Sequence, residues 1–365
     1  MFAYIVRRLA LIPLTLLGIV AVNFLVVQFA PGGPVEQVLA ELSGTAVEAT
    51  ARLGDTGGGE VASGPGAGDS DEGYRGRQGL DPEFVAELER QFGFDKPPLE
   101  RFIIMVGNYL TFDLGESYFR DKGVLELVAE KLPVSISLGV WSTLIIYAIS
   151  LPLGIAKAVR DGSRFDVVTS AMVVVGNAVA AFLFAILLIV LFAGGRDLDW
   201  FPLQGLVSDN WEDLSWPMRI ADYFWHLTLP ITAIVIGGFA TLTLLTKNAF
   251  LDEINKQYVM TARAKGLKPN RVLYGHVFRN AMLLIIAGFP GVLISMLFTG
   301  SLLIEVIFSL EGLGLLSFEE VVNRDYPVVF GTLYVFGLIG LLLNLVTDIT
   351  YHIVDPRIDF AARPA

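Results

Sequence analysis

Val328–Val354 reads VVFGTLYVFGLIGLLLNLVTDITYHIV. One carboxylate, Asp348, and one imidazole, His352, are its only readily ionised side chains. As a helix rising about 1.5 Å per residue, it is longer than the ~30 Å hydrocarbon core of a bilayer. Five more runs have a similar character: Leu9–Ala30, Ser135–Ala156, Val167–Ala193, Leu227–Thr246 and Ala281–Ile304. The fourth is the least regular, with His226, Pro230 and the Gly237-Gly238 pair at or within it. Any one run could be a buried core helix of a soluble protein; six in one chain point to a membrane protein.

Composition agrees. Hydrophobic residues make up 54% and charged residues 17% of the 365, against about 25% charged in soluble domains. This excludes an ordinary soluble enzyme, a disordered regulator and a disulfide-stapled module. There is no Cys, hence no thiolate chemistry, and the three His (His226, His276, His352) have no metal-ligand spacing. Arg7 and Arg8 before Leu9–Ala30 resemble a signal peptide, but the apolar run exceeds the ~7–15 residues of a signal h-region, so it reads as an uncleaved first helix.

Lys and Arg set the orientation. Arg7 and Arg8, then Lys157, Arg160 and Arg164, then Lys247, Lys256, Arg263, Lys265, Lys268, Arg271 and Arg279, and finally Arg357 and Arg363 fall on one side of six spans. That side is expected to be cytoplasmic, with both termini on it. Residues 31–134 carry 19 acids against 9 bases, and 194–225 carry six against two. The acidity therefore lies outside, and nucleic acid is not a plausible partner. The expected organisation is a cytoplasmic N-terminus and first span over 1–30, a periplasmic segment over 31–134, a five-helix core over 135–354 with a cytoplasmic loop over 247–280, and a cytoplasmic tail over 355–365. Within the outer segment, Gly54–Gly79 has ten Gly in 26 residues and reads as a flexible loop. Residues 81–133 read as a small helical cap. Asp81-Pro82-Glu83 opens a first helix, a second begins near Pro98 with Phe102, Val106 and Leu110 on one stripe, and a third carries Val124, Leu127 and Val128 before Pro133.

No Gly-x-x-x-x-Gly-Lys-Ser/Thr, Gly-x-Ser-x-Gly or His-Glu-x-x-His occurs. The few ionisable residues in the spans, Glu305 and Asp348, lie near span ends, which weighs against an ion-coupled secondary transporter. Two stripes of small and polar residues stand out. Gly288, Gly291, Ser295 and Thr299 share one face of the fifth span, and Gly337, Gly340, Asn344 and Asp348 one face of the sixth. Each suits either a pore or close helix packing.

The most informative stretch is the basic loop containing Tyr258-Val259-Met260-Thr261-Ala262-Arg263-Ala264-Lys265-Gly266. On charge alone it is a solvated juxtamembrane segment. A short helix ending at Gly266, with small Thr261, Ala262 and Ala264, would allow another protein to approach closely.

These nine residues resemble the "EAA" coupling loop of the permeases of bacterial ATP-binding-cassette importers, in the form found in the first permease of the dipeptide/oligopeptide/nickel family. The resemblance extends over nearly the whole chain: Tyr4-Ile5-Val6-Arg7-Arg8-Leu9, Gln28-Phe29-Ala30-Pro31-Gly32-Gly33-Pro34, Phe112-Asp113-Leu114-Gly115-Glu116-Ser117, Arg324-Asp325-Tyr326-Pro327 and Asp355-Pro356-Arg357 look like further family motifs. There are departures. The general EAA Glu falls on Met260, the family's Pro-Gly-Leu-Gly appears as Glu311-Gly312-Leu313-Gly314, and a Pro often found after Asn280-Ala281 is absent. With the Gly-rich insertion, these departures look most like the YejB-like branch, linked to peptides and to the peptide–nucleotide antibiotic microcin C.

The resemblance implies an all-α, polytopic inner-membrane protein of the type I importer permease fold. Tyr258, Met260, Thr261, Ala262, Arg263, Ala264, Lys265 and Gly266 would form the ATPase-coupling loop. The implied partners are a second, similar permease, two cytoplasmic ATPases binding ATP and Mg, a periplasmic solute-binding protein, a peptide substrate and membrane lipid. The chain itself would hold no cofactor or metal and catalyse no reaction. A dipeptide or nickel permease is the alternative within the family.

Overall fold

A computed structural model describes residues 2–29, 96–193, 198, 200–298 and 302–354. The Gly-rich segment 54–79, the helix expected at 81–93, Thr299 and the tail 355–365 lie outside the described residues, as does the side chain of Ser295. The described residues form helices and connections, with no strand among them. In chain order the helices are α1 (Phe2–Phe29), α2 (Pro98–Leu110), α3 (Val124–Val159), α4 (Arg164–Ala178), α5 (Ala181–Phe192), α6 (Trp216–Ile254), α7 (Gln257–Ala264), α8 (Pro269–Val272), α9 (Phe278–Phe298), α10 (Leu302–Ile307), α11 (Leu313–Asn323) and α12 (Tyr326–Val354). A π-helical turn, Leu273–Val277, joins α8 to α9.

Five helices, α1, α3, α6, α12 and the stretch Pro269–Val292 leading through α9, are long and apolar enough to cross a bilayer. They overlap five of the six expected spans, although the fifth, expected over Ala281–Ile304, is carried by α9 to Phe298 and its end, from Leu302, belongs to the separate helix α10. The third expected span differs: α4 and α5 are bent by 90° at the break between them. Val179 and Ala180 are extended there, and neither flanking helix has a side-chain cap at that point. The apolar run is unbroken in sequence, so hydropathy could not register the bend. Gly237 of α6 makes room for it, since a Cβ there would lie 3.2 Å from the Cβ of Ala181. The expected helix end before Pro133 also does not occur. Proline removes one backbone donor, but α3 runs through Pro133 and Pro152, as apolar spanning helices tolerate.

The chain divides into two compact units. The larger holds Met1–Arg8, Lys131–Gly314 and Ile339–Ala365. Its centre is α6, against which α4, α5, α9 and α10 pack. Leu138, Ile146, Leu227, Ala233, Ile285 and Ile304 belong to one buried cluster. Helices gain little from hydrophobicity alone in lipid, so close approach through small residues matters. A Cβ on Gly154 would stand 2.6 Å from Thr246 Cβ and 2.8 Å from the Thr243 carbonyl oxygen, and Ser150 Oγ donates to the Phe239 carbonyl at 2.9 Å. Together these fix the crossing of α3 over α6.

The smaller unit holds Leu9–Glu130 and Leu315–Leu338. Phe24 of α1 meets Phe102 of α2 with ring centroids 5.3 Å apart, and Tyr109 of α2 stands edge-on to Tyr334 of α12 at 5.1 Å. Here α2 begins at Pro98, with Pro97 as its N-cap residue.

Candidate functional site

The basic loop folds as a compact helical element. Helix α6 ends at Ile254, α7 follows after Asn255-Lys256, and Gly266 closes the turn at φ +77°. Its N–H donates to the Arg263 carbonyl at 2.9 Å, and that of Leu267 to the Ala262 carbonyl at 3.4 Å. The left-handed conformation explains why glycine stands there. Among the described residues, nothing lies within 4 Å of a Cβ placed on Gly266. Val259 and Ala262 are buried and bind α7 to the larger unit. Met260, Thr261, Arg263, Ala264, Lys265 and Gly266 are exposed, Met260 by 64%. The residue in the EAA glutamate position is therefore an apolar side chain on the open face of the helix.

Glu253, in the last turn of α6, holds this element in place. It pairs with Lys256, accepts the Tyr258 hydroxyl at 2.6 Å and shares the Asn280 side chain with Tyr258. Burial and the Glu253 carboxylate push the Tyr258 hydroxyl above its ordinary pKa. One carboxylate thus ties the end of α6 to the starts of α7 and α9. Sequence reading quoted Glu253 and Asn280 in the same stretch, but 27 positions apart they gave no sign of meeting.

A second set of contacts was missed entirely. Lys157, at the end of α3, is fully buried, although sequence reading counted it with the cytoplasmic loop charges. Its Nζ lies 3.1 Å from Asp166 Oδ1 and donates to the Asp166 carbonyl, Thr169 Oγ1 and Ser170 Oγ at 3.0, 3.0 and 2.6 Å. The other carboxylate oxygen of Asp166 is 2.7 Å from Lys247 Nζ of α6, which also reaches Asp161 at 2.8 Å. Positive charge in short loops marks orientation, but it does not reveal which ammonium finds buried carboxylates.

The small-residue stripes separate in the structure. A Cβ on Gly337 would lie 2.9 Å from Ile19 Cδ1, so this position packs against α1 within the smaller unit. Among the described residues, nothing lies within 4 Å of a Cβ added to Gly288 or Gly291 of α9 or to Gly340 of α12. Asn344 is exposed. Asp348 accepts the Tyr4 hydroxyl at 2.9 Å and pairs with Arg8. Beside the open part of α9, Tyr147, Leu151, Met282, Ile285, Phe289 and Val346 help line an apolar cavity of about 480 Å³.

The Glu311-Gly312-Leu313-Gly314 motif packs around a buried side chain. The Glu305 carboxylate is fully buried at the Glu311-Gly312-Leu313-Gly314 turn, where a Cβ on Gly312 would lie 2.4 Å from Glu305 Cδ and one on Gly314 3.0 Å from Oε2. Ser135 Oγ is 3.5 Å from Glu305 Oε1 and accepts the Leu313 N–H at 2.9 Å. The turn is thus shaped around a carboxylate, a relationship invisible in the motif itself.

The family model described as "Binding-protein-dependent transport system inner membrane component" matches residues 150–360. The chain belongs to this family. The matched region of this inner-membrane transport component runs from the end of α3 through the Lys157–Asp166 pair, α7 and the Gly312 turn to α12. The chain is 62% identical over 364 residues to the "Peptidoglycan transport system permease protein YejB" of Agrobacterium fabrum (strain C58 / ATCC 33970), covering 100% of both. It is 59% identical over 364 residues, again the whole of both, to the "Inner membrane ABC transporter permease protein YejB" of Escherichia coli O157:H7. It is 32% identical to the "Oligopeptide transport system permease protein AppB" of Bacillus subtilis (strain 168), over 99% of this chain and 100% of that protein. A chain of the inward-facing MetNI methionine ABC transporter is 15% identical, with a TM-score of 0.47, over 63% of this chain and 97% of that one. That likeness is too slight to add to the assignment.

Proposed function

We propose that this chain is the permease subunit of an ATP-driven importer that moves peptides across the inner membrane by alternating access. The observation that carries the reading is α7: a short helix anchored through Val259, Ala262 and the Glu253 contacts, presenting Met260, Thr261, Arg263, Ala264 and Lys265 outward. An exposed apolar Met beside cationic residues, ending in an unobstructed glycine turn, suits insertion into a groove on another protein.

In this reading α7 docks on one of two cytoplasmic ATPases, which bind ATP and Mg. A second, similar permease completes the pore, and a periplasmic binding protein delivers substrate. Both termini are cytoplasmic, in the type I importer permease arrangement. The names of the relatives, one for peptidoglycan and one for oligopeptides, favour a peptide-containing substrate over nickel. Peptide–nucleotides of the microcin C kind are included in the proposal. Gly288, Gly291 and Gly340 belong to the translocation face, with Ser295 and Thr299 continuing the α9 stripe by sequence.

The test is reconstitution of the assembled complex in vesicles with its binding protein. ATP-dependent peptide accumulation, with ATPase activity stimulated by peptide-loaded binding protein, is expected. Uptake driven by an ion gradient without ATP would replace this reading with a secondary transporter.

A further inference from the structure

We infer that Lys247 is a positioning residue that couples α7 to the broken helix pair α4–α5, by holding the cytoplasmic end of α6 to Asp161 and Asp166. This rests on the importer reading and extends it from the docking helix to the part of the membrane core that the helix moves.

The chain of contacts is continuous within the larger unit. Helix α7 is fixed to the last turn of α6 through Glu253, by Lys256 and Tyr258. Lys247 lies six residues earlier, and six residues of helix span about 9 Å. Its ammonium reaches Asp161 at 2.8 Å and Asp166 at 2.7 Å, on the turn entering α4 and in its first turn. The other carboxylate oxygen of Asp166 is held by the fully buried Lys157 at 3.1 Å, the Gly162 N–H donates at 3.2 Å to the oxygen that Lys247 holds, and the Asp166 N–H donates to Ser163 Oγ at 3.3 Å. The turn is therefore gripped from two helices, α3 and α6, and α4 moves with whatever displaces it. At the other end of α4 lies the 90° break, seated against Gly237 of the same α6. Thus the packing of α6 against this helix pair includes an ionic contact near α7 and a close-packed one at the break.

The two ammonium groups differ in kind. Lys157 is buried within the α3–α4 corner, and losing it would remove its contacts with Asp166 Oδ1, the Asp166 carbonyl, Thr169 and Ser170 together, a folding defect of that corner. Lys247 is partly exposed and bridges two elements, so its loss removes a connection while Lys157 still neutralises Asp166. Among the described residues, Lys247 is the ionic link between the part of α6 that leads to α7 and the entry of α4.

The experiment measures peptide taken up per ATP hydrolysed by the complete complex in vesicles, for the parent, Lys247→Met and Lys247→Arg. Lys247→Met is expected to retain the ATPases in pull-down and to hydrolyse ATP, while uptake per ATP falls by at least about fivefold, the lower end of typical coupling between sites. Lys247→Arg keeps the charge and should restore most of the ratio. A purely structural role would reduce assembly, hydrolysis and uptake together and leave the ratio unchanged. Should Lys247→Met not assemble, Asp161→Asn is decisive. Asp161 is half exposed, and its loss removes one of the two pairs on Lys247, so the ratio should fall in the same direction. A parent-like ratio in an assembled Lys247→Met complex, or in Asp161→Asn where Lys247→Met does not assemble, overturns the inference. A parent complex with no ATP-dependent uptake at all overturns the importer reading, and this inference with it.

Discussion

Ser117 Oγ donates to Asp325 Oδ2 at 2.5 Å, across 208 residues of sequence. The contact joins Phe112-Asp113-Leu114-Gly115-Glu116-Ser117 to Arg324-Asp325-Tyr326-Pro327, two motifs that the sequence presents as unrelated. The same carboxylate oxygen accepts the Tyr118 N–H at 3.0 Å. The Ser117 hydroxyl oxygen in turn accepts the N–H groups of Phe119 and Arg120 at 3.2 and 3.0 Å. Arg120 then reaches Glu319 at 2.8 Å and the fully buried Glu320 at 2.7 Å. A buried carboxylate with several donors holds the loop after α2 against the α11–α12 turn in the smaller unit.

This cluster makes stability depend on pH. Burial pushes the Glu320 carboxyl up to about 7, against the opposing pull of the Arg120 guanidinium. The folded state therefore binds this proton more tightly than the unfolded chain does. Its stabilising contribution is complete below the ordinary carboxylate range and is lost as pH rises through about 7. Glu320→Gln should flatten the pH dependence of the melting temperature of the detergent-solubilised protein between about pH 5 and 7. Asp325 is also raised by burial, so it is the difference between parent and variant that isolates Glu320. A parallel offset at every pH would show that Glu320 does not titrate there.

Gly312→Ala should destabilise the chain by about 1–3 kcal/mol, typical of overpacking. The added methyl would meet the buried Glu305 carboxylate at 2.4 Å. Gly340→Ala meets nothing within 4 Å and should leave the melting temperature close to that of the parent. Equal melting temperatures for the two variants would remove the Glu305 contact as the reason for glycine at 312.

Gly266→Val should insert into the membrane normally, because Gly266 lies outside the apolar spanning stretches of the described residues and a Cβ there meets none of their atoms within 4 Å. A β-branched residue at φ +77° costs about 1–2 kcal/mol, and its bulk would project toward a docked partner. Pull-down of the ATPases should fall, or hydrolysis should separate from uptake. Parent-like pull-down and uptake would reduce α7 to a solvated segment.

Gly291→Leu tests the open face of α9. Gly291 is exposed and, among the described residues, an added Cβ meets nothing within 4 Å, so abundance should stay at the parent level while peptide uptake drops severely. Lost abundance together with lost assembly would mean that the face packs against the second permease. Full uptake would place it against lipid.

Several features were legible in the sequence because they are local. Apolar runs of bilayer length mark spans whatever the chain does elsewhere, and four of them lie in single long helices while α9 carries most of a fifth. The residues quoted around Gly266 supplied the α7 helix and its left-handed stop, since helix termination depends on a few adjacent residues. The motif matches already carried the family. Tertiary structure decided whatever depends on which distant groups meet. The 90° break in the third apolar run lies where α6 offers Gly237, and hydropathy is blind to a bend. Identical small-residue spacing gave packing at Gly337 and open space at Gly291, because spacing fixes a helix face but not what stands opposite it. Lys157 and Lys247 counted equally as positive charges in the sequence. Burial among Asp161, Asp166, Thr169 and Ser170, set by the packing of α3, α4 and α6, made one a structural ion and the other a bridge.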